Sequence, residues 1–521
     1  MDAPAPLPHR QPRGALGKHR RRRPALVCQD AGTQRAPAAV SAVPPRAGVA
    51  AGRLAARMGQ AARPLDRPLR RRVRRVCAAG RAGRESVPMS DALPQTALRG
   101  RWRAQLAMLE QRFKLLTFVN TMVPTMAALG LQFVTFAITA RGLGVEQFGR
   151  YTGLLAIVGV GVELVGLGGA DLLVRAVARD RTRFRGYYGN MLMLIGLTLP
   201  LVVALGVAVA TGAMHSTVAV TLIVAALAAE IGVARMSASL ELVMVAHGHN
   251  ARAGVVRMTT VLVRLVLALG FFVGLGYSDL DQWIWVVFAQ AVVMMGCYAW
   301  LGARQYGRPL WQVVRSELYT GSMFCVTQTA RSAQSNLDRM VLSRYADDTV
   351  LGLYGAASRF LQLGMFPVQV ITRIIYPKYF VHGADGIAAS RRYALRMTPL
   401  LLATGVASGL LVAAAALLAP HVLGRAYDGT VQITVALALS LPLVAVQYPA
   451  ADALTGAGRQ GLRALIYTLA SIGFGFVLLA GTRWGGVNGL ILAYLLGHLG
   501  LALVLWSAAF LCRDAPGAQP T

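Results

Sequence analysis

The chain has 521 residues, 55% hydrophobic and only 14% charged, with a mean hydropathy of +0.51. Soluble domains carry about 25% charged residues, so a water-exposed globule is excluded and a chain mostly in lipid is indicated. Lys and Arg number 53 against 22 Asp and Glu, a formal +31, and the first hundred residues alone hold 21 basic and 5 acidic side chains. Five scattered cysteines (Cys28, Cys77, Cys297, Cys325, Cys512) with no C-x-x-C spacing exclude a disulfide framework, and no metal site is expected.

Residues 1–100 are rich in Arg, Ala, Pro and Gly and include His19-Arg20-Arg21-Arg22-Arg23 and Arg70-Arg71-Arg72-Val73-Arg74-Arg75. No apolar stretch there reaches the length of a signal-peptide core. Too little apolar surface exists to offset the entropy of ordering, so this extension is expected to be disordered. Such basic runs suit anionic lipid or nucleic acid. The preferred reading is an upstream stretch before a true start at Met89 or Met108, and no nucleic-acid partner is expected.

About 20 apolar residues cross a bilayer core as a helix. From Leu115 such stretches repeat, at approximately 115–140, 151–172, 189–211, 217–239, 254–275, 282–303, 319–342, 350–373, 397–419, 431–453, 464–481 and 487–511. These twelve spans and their short loops leave no room for a soluble catalytic domain. The expected fold is an all-α polytopic membrane protein of about 12 transmembrane helices, in two six-helix bundles around a central cavity. The first bundle is placed at 112–303, a cytoplasmic linker at 304–318, the second bundle at 319–511 and a cytoplasmic tail at 512–521.

The loops test this count. Those after even-numbered spans hold fifteen basic residues, among them Arg175, Arg179, Arg181, Arg183, Arg185, Arg252, Arg304, Lys378, Arg391 and Arg459. Those after odd-numbered spans hold five: Arg141, Arg150, Arg344, Arg425 and Arg483. Basic loops stay in the cytoplasm, so both termini are predicted there. Trp283, Trp285, Trp300, Trp484 and Trp506 lie near span ends, where an amphipathic ring favours the interface.

A repeat runs through the chain. Arg141, Gly149 and Tyr151 recur as Arg344, Gly352 and Tyr354, each 203 residues on. Thr125, Gln132 and Thr135 of the first span correspond at the same offset to Gln328, Ser335 and Asp338 of the seventh. Six helices is an even number of crossings, so the halves are parallel repeats about an axis along the membrane normal.

Charges at mid-depth carry the functional signal. An ionisable group at the bilayer centre costs roughly 2.5–3.5 kcal/mol or more, so it turns to protein or water. Gln328, Arg331, Ser332, Ser335 and Asp338 read as one polar stripe of the seventh span. A wet cavity is preferred there to an ion pair of Arg331 with an acid of another span. The eighth span carries Arg359, Gln362, Gln369 and Arg373, and the fifth carries Arg257, Thr260 and Arg264. Arg257 can snorkel to the surface, whereas Arg264 is too central to do so. Glu163 and Glu230 lie in the second and fourth spans, and Asp171 is placed to pair with Arg175. Guanidinium groups suit a phosphate-bearing ligand. Arg264, Arg331, Arg359, Gln328, Ser335 and Gln362 are therefore the candidate substrate-binding residues. Glu163, Glu230 and Asp338 are candidate ion-coupling groups, because a carboxyl among arginines can exchange a proton as its neighbours change. For Glu163, a fixed counter-ion is the equal alternative.

The segment Arg141-Gly-Leu-Gly-Val-Glu-Gln-Phe-Gly-Arg-Tyr151 resembles the first hairpin of polysaccharide-biosynthesis flippases. Ser335-Asn-Leu-Asp-Arg-Met-Val-Leu-Ser-Arg344 with Leu351-Gly-Leu-Tyr354 resembles their seventh-to-eighth hairpin, and Leu454-Thr-Gly-Ala-Gly-Arg-Gln460 their turn after the tenth span. The resemblance, over roughly residues 112–511, is to the O-antigen and exopolysaccharide (Wzx-type) branch of the multidrug/oligosaccharidyl-lipid/polysaccharide exporters. It implies translocation of a polyprenyl-diphosphate-linked oligosaccharide across the bacterial cytoplasmic (inner) membrane by alternating access, and less directly coupling to an H+ or Na+ gradient. No cofactor is implied. Membrane lipids, a glycan polymerase and a chain-length regulator are the implied partners. The run Tyr277–Trp285 departs from the family's usual entry into its sixth span.

Three readings compete. A multidrug antiporter of the same fold would favour organic cations and acids in excess, whereas arginine is in excess here. A polytopic glycosyltransferase or polymerase would need reactive groups on a long outer loop, and the loops are short; Asp347-Asp348 and Glu146 read as solvated turn residues. A passive scramblase is the third.

Overall fold

The computed structural model describes residues 95–214 and 216–512, with the side chains of 125–512 other than Thr327. The basic extension and residues 513–521 lie outside the described residues, and the disorder expected of residues 1–100 falls almost wholly there. Every regular element among the described residues is a helix, with no strand among them. In lipid this is forced, because only a helix or a closed barrel satisfies its own backbone groups.

Eight stretches are long and apolar enough to cross a membrane by length and composition. Two are double. Thr125–Arg179 holds the first span from residue 125 on and all of the second, and Gln460–Leu511 holds the eleventh and twelfth. In each, one glycine makes the corner: Gly144 at φ 74 and Gly486 at φ 55, conformations that a Cβ would strain. The two further spans are the polar ones, the seventh (Leu318–Gln334 then Leu337–Tyr345) and the eighth (Asp348–Gly383). Twelve spans result among the described residues, six to each half.

Leu197, Leu201 and Leu205 of the third span are 66%, 66% and 56% exposed at a four-residue spacing, an apolar stripe that only lipid would cover. Trp285, Trp300 and Trp484 are exposed near span ends, as the interfacial reading requires. Trp283 corrects that reading. It is fully buried against Phe271 and Phe272, because the start of the sixth span turns inward. Trp506 also turns inward and donates to the Val446 carbonyl at 3.1 Å.

The halves touch where the first-to-second and seventh-to-eighth turns lie, here called the hairpin end. A Cβ on Gly149 would stand 1.7 Å from the Asp348 carbonyl oxygen, and one on Gly352 would stand 2.1 Å from that of Val145. Both pairs are related by the offset of 203, so the contact is reciprocal, as a two-fold axis between parallel repeats demands. Arg150 ties it by donating to Asp348 at 2.9 Å and to Glu146 at 2.6 Å, and the Tyr427 hydroxyl reaches the Ala140 carbonyl at 2.7 Å. Midway, Ser332 donates to the Gly159 carbonyl at 2.5 Å, and the Phe133 and Phe360 rings meet edge to face at 5.2 Å.

At the other end a linker crosses between Tyr306 and Leu318. It lies along the third span, with the Leu310 amide donating to the Arg185 carbonyl and the Val314 amide to Asn190, both at 2.9 Å. Arg175 pairs here with Glu317 at 3.0 Å rather than with Asp171, because the linker brings a better-placed carboxylate.

Candidate functional site

Two cavities lie along the contact between the halves. The first, of about 260 Å³, is walled by the first, second, fourth, fifth and sixth spans. The second, of about 330 Å³, is walled by the seventh, tenth, eleventh and twelfth. Each is completed by a side chain from the other half: Arg359 of the eighth span enters the first cavity, and Glu163 of the second span enters the second.

The repeat explains the lining. Gln132 faces the first cavity and Ser335, 203 residues on, faces the second. Tyr151 and Tyr354 correspond as well. Tyr151 hydrogen-bonds Glu230, and Tyr354 donates to Asp338 at 2.9 Å.

In the first cavity the charged groups are tied together. Arg264 pairs with Glu230 at 2.7 Å and donates to Gln290 at 2.6 Å. Around them stand Phe136, Phe148, Leu155, Val261 and Trp283, so the walls are mainly apolar. Arg359 has no carboxylate within ion-pair distance among the described residues, and its one described hydrogen bond goes to the Gln362 amide oxygen at 3.1 Å. A cation left unpaired inside a protein costs several kcal/mol, which a bound anion would offset.

The second cavity is polar and its groups are mostly untied. Arg331 has neither ion pair nor hydrogen bond among the described residues, and Gln328 and Ser335 stand beside it. The pairing of Arg331 with an acid of another span, weighed above, is not formed. Glu163 lies 3.9 Å from Arg235, a loose contact at the edge of ion-pair distance. Arg463 reaches out of the wall, holding Asp452 at 3.2 Å and Thr455 at 2.5 Å.

Of the nine residues named from sequence, Glu230, Arg264 and Arg359 line the first cavity. Glu163, Gln328, Arg331 and Ser335 line the second. Gln362 lies outside both linings and engages Arg359. Asp338 also lies outside both, and here the polar stripe read along the seventh span needs correction. The helix breaks at Ser335 and Asn336, which turns the next half-helix. Asp338 is thereby buried, accepting from Tyr354 and from the Arg339 amide at 2.8 Å. Arg339 closes the break by donating to the Ser335 carbonyl at 2.7 Å and to Asn336 at 2.9 Å. Arg257, read as snorkelling, pairs with Glu241.

Sequence reasoning missed Gln447, Tyr448, Arg463, Tyr467, Tyr494 and His498 of the second cavity. A signal was present. Arg463 with Tyr467, and Tyr494 with His498, stand four apart and so share a helix face.

Twelve spans among the described residues, in two repeats with cavities between the halves, define a multi-pass membrane protein. The family model for polysaccharide biosynthesis proteins matches residues 117–380, and the chain belongs to that family. No curated protein matches. The fold is similar to that of solved MATE family transporters. An inward-facing multidrug resistance MATE family transporter is 15% identical, with a TM-score of 0.61 over 75% of this chain and 97% of its own. An outward-facing MATE family transporter is 14% identical, with a TM-score of 0.51 over 76% and 94%. A MOP superfamily transporter from Pyrococcus furiosus, described as having a binding pocket of reverse polarity, is 17% identical, with a TM-score of 0.51 over 76% and 94%.

Proposed function

We propose that the chain is a flippase for a polyprenyl-diphosphate-linked oligosaccharide, moving it from the cytoplasmic to the outer leaflet of a bacterial inner membrane. The observation that carries this is the pair of arginines, Arg331 and Arg359, that face the two cavities without carboxylate partners among the described residues. Family membership supplies the polysaccharide context. A diphosphate is the anion whose geometry guanidinium groups match best. An organic cation would meet two uncompensated positive charges.

The basic loops support a cytoplasmic linker end and cytoplasmic termini. The hairpin end is then outermost and closed by the reciprocal backbone contact. Alternating access separates the halves there, breaking Arg150–Asp348, while the linker end closes. Glu163 is the best-placed coupling acid, since it faces a cavity and is only loosely held by Arg235. Glu230 and Asp338 are held more closely and act in this reading as fixed counter-charges.

The test is flipping in proteoliposomes, read from the protection of a labelled polyprenyl-diphosphate glycan against an external reagent. Wild type should move it. A charge-assisted hydrogen bond is worth about 1.5–3 kcal/mol, so Arg331→Ala and Arg359→Ala should each lower flipping roughly 10- to 100-fold with normal insertion. Movement of an organic cation with no movement of the lipid would reject this reading.

A further inference from the structure

The two cavities differ in a way that divides the cargo, given the flippase reading above. In the second cavity, Arg331, Gln328, Tyr448 and Tyr494 have side-chain polar groups with no hydrogen-bond partner among the described residues, and the Tyr467 hydroxyl has Arg463 beside it. Gln447 is half engaged: its amide NH2 donates to the His498 carbonyl at 2.8 Å, and its amide oxygen accepts nothing there. None of Arg331, Gln328, Tyr448, Tyr494 and Gln447 is among the buried, unsatisfied polar atoms, so their free groups open on the cavity and not into packed protein.

We propose that this second cavity is a carbohydrate site that receives the first sugar of the lipid-linked glycan. Hydroxyls, amides and a guanidinium left free around one space are what a sugar's many hydroxyls require. The rings of Tyr448, Tyr467 and Tyr494 offer faces for the CH side of a pyranose. The volume lies within the range of small-molecule sites, about 300–1,000 Å³. The first cavity suits a sugar less, because its walls are mainly apolar and most of its polar groups are already bonded within the protein. Arg331 stands where a phosphate joined to that sugar would lie.

The experiment uses the full chain in proteoliposomes with two probes, a sugar-free polyprenyl diphosphate and the same lipid carrying one N-acetylhexosamine. The variants are the double change Tyr448→Phe with Tyr467→Phe, and separately Tyr494→Phe. Each removes hydroxyls and keeps ring shape, and monodisperse elution reports folding. The double variant should move the sugar-bearing lipid about tenfold more slowly than wild type and the sugar-free lipid at the wild-type rate. Tyr494→Phe should show the same selectivity with a smaller loss. Equal loss for both lipids, or no loss for either, would overturn the carbohydrate site while leaving the flippase reading intact. Wild-type protein that moves neither lipid would reject the flippase reading, and this inference with it.

Discussion

The two cavities are built from corresponding spans of one repeat, yet Arg264 of the first and Arg331 of the second are held in opposite ways. In the first, Arg264 is closed onto Glu230, Gln290 and Tyr151. In the second, Arg331 is left open among free hydroxyls and amides. A duplicated bundle therefore keeps its backbone positions and divides its chemistry. One cavity holds the buried Arg264–Glu230 pair, and the other holds a guanidinium, that of Arg331, with no partner among the described residues. The distinction has consequences for stability that do not depend on the identity of the cargo.

The largest expected effect comes from breaking the tied pair. Removing one member of a buried ion pair leaves an uncompensated charge and costs about 3–5 kcal/mol. Arg264→Ala should therefore lower the unfolding midpoint of the detergent-solubilised protein markedly, and Glu230→Leu with Arg264→Met should recover most of the loss. Arg331→Ala breaks no pair and should leave the midpoint almost unchanged. If thermal unfolding monitored by intrinsic fluorescence shows Arg331→Ala to be as destabilising as Arg264→Ala, the contrast between the cavities is wrong.

The second effect tests the symmetry itself. Gly149 and Gly352 admit the partner backbone only because neither has a Cβ. Gly149→Val or Gly352→Val should push the halves apart at the hairpin end and favour the separated state. A cysteine introduced at Glu146 should then react several-fold faster with a membrane-impermeant maleimide. Both variants should act alike, because the axis makes the contacts equivalent. A change in only one would mean that the reciprocity carries no function.

The sequence held much of this. Hydropathy and loop charge set the number of spans, because lipid imposes both length and backbone satisfaction. The offset of 203 exposed the repeat through Gly149 and Gly352 before their contact was visible. Seven of the nine named site residues face one of the two cavities. The separation of those cavities was not legible, because periodicity gives a helix face and not the neighbour it meets. Asp338 shows the limit most clearly. Helical spacing put it beside Arg331, and one break at Asn336, held by Arg339, turned it away. Breaks of this kind depend on a side chain's reach in three dimensions, which a periodic reading does not contain.

The smallest effect supplies the baseline for any pH dependence of transport. Asp180 lies in the exposed turn between the second and third spans, outside both cavities. The Thr182 hydroxyl donates to its carboxylate at 2.7 Å and the Thr182 amide at 2.9 Å. These bonds hold its carboxyl below the usual aspartate value, the hydroxyl bond acting most strongly. With the folded value depressed, the turn's stabilisation is present above the unfolded pKa, about 3.9, and is lost as pH falls through the lower folded value. Amide exchange at Thr182, corrected for intrinsic rate, should stay flat from about pH 8 to 5 and quicken only below about pH 4. Asp180→Ala should abolish that step. Since this turn is silent across the neutral range, a change in flipping rate between about pH 5 and 8 would have to arise elsewhere. Glu163→Gln tests whether that cavity-facing carboxylate contributes, and Asp180→Ala should leave the profile unaltered. A profile that survives Glu163→Gln would return that residue to the role of fixed counter-ion and remove proton coupling from the second cavity.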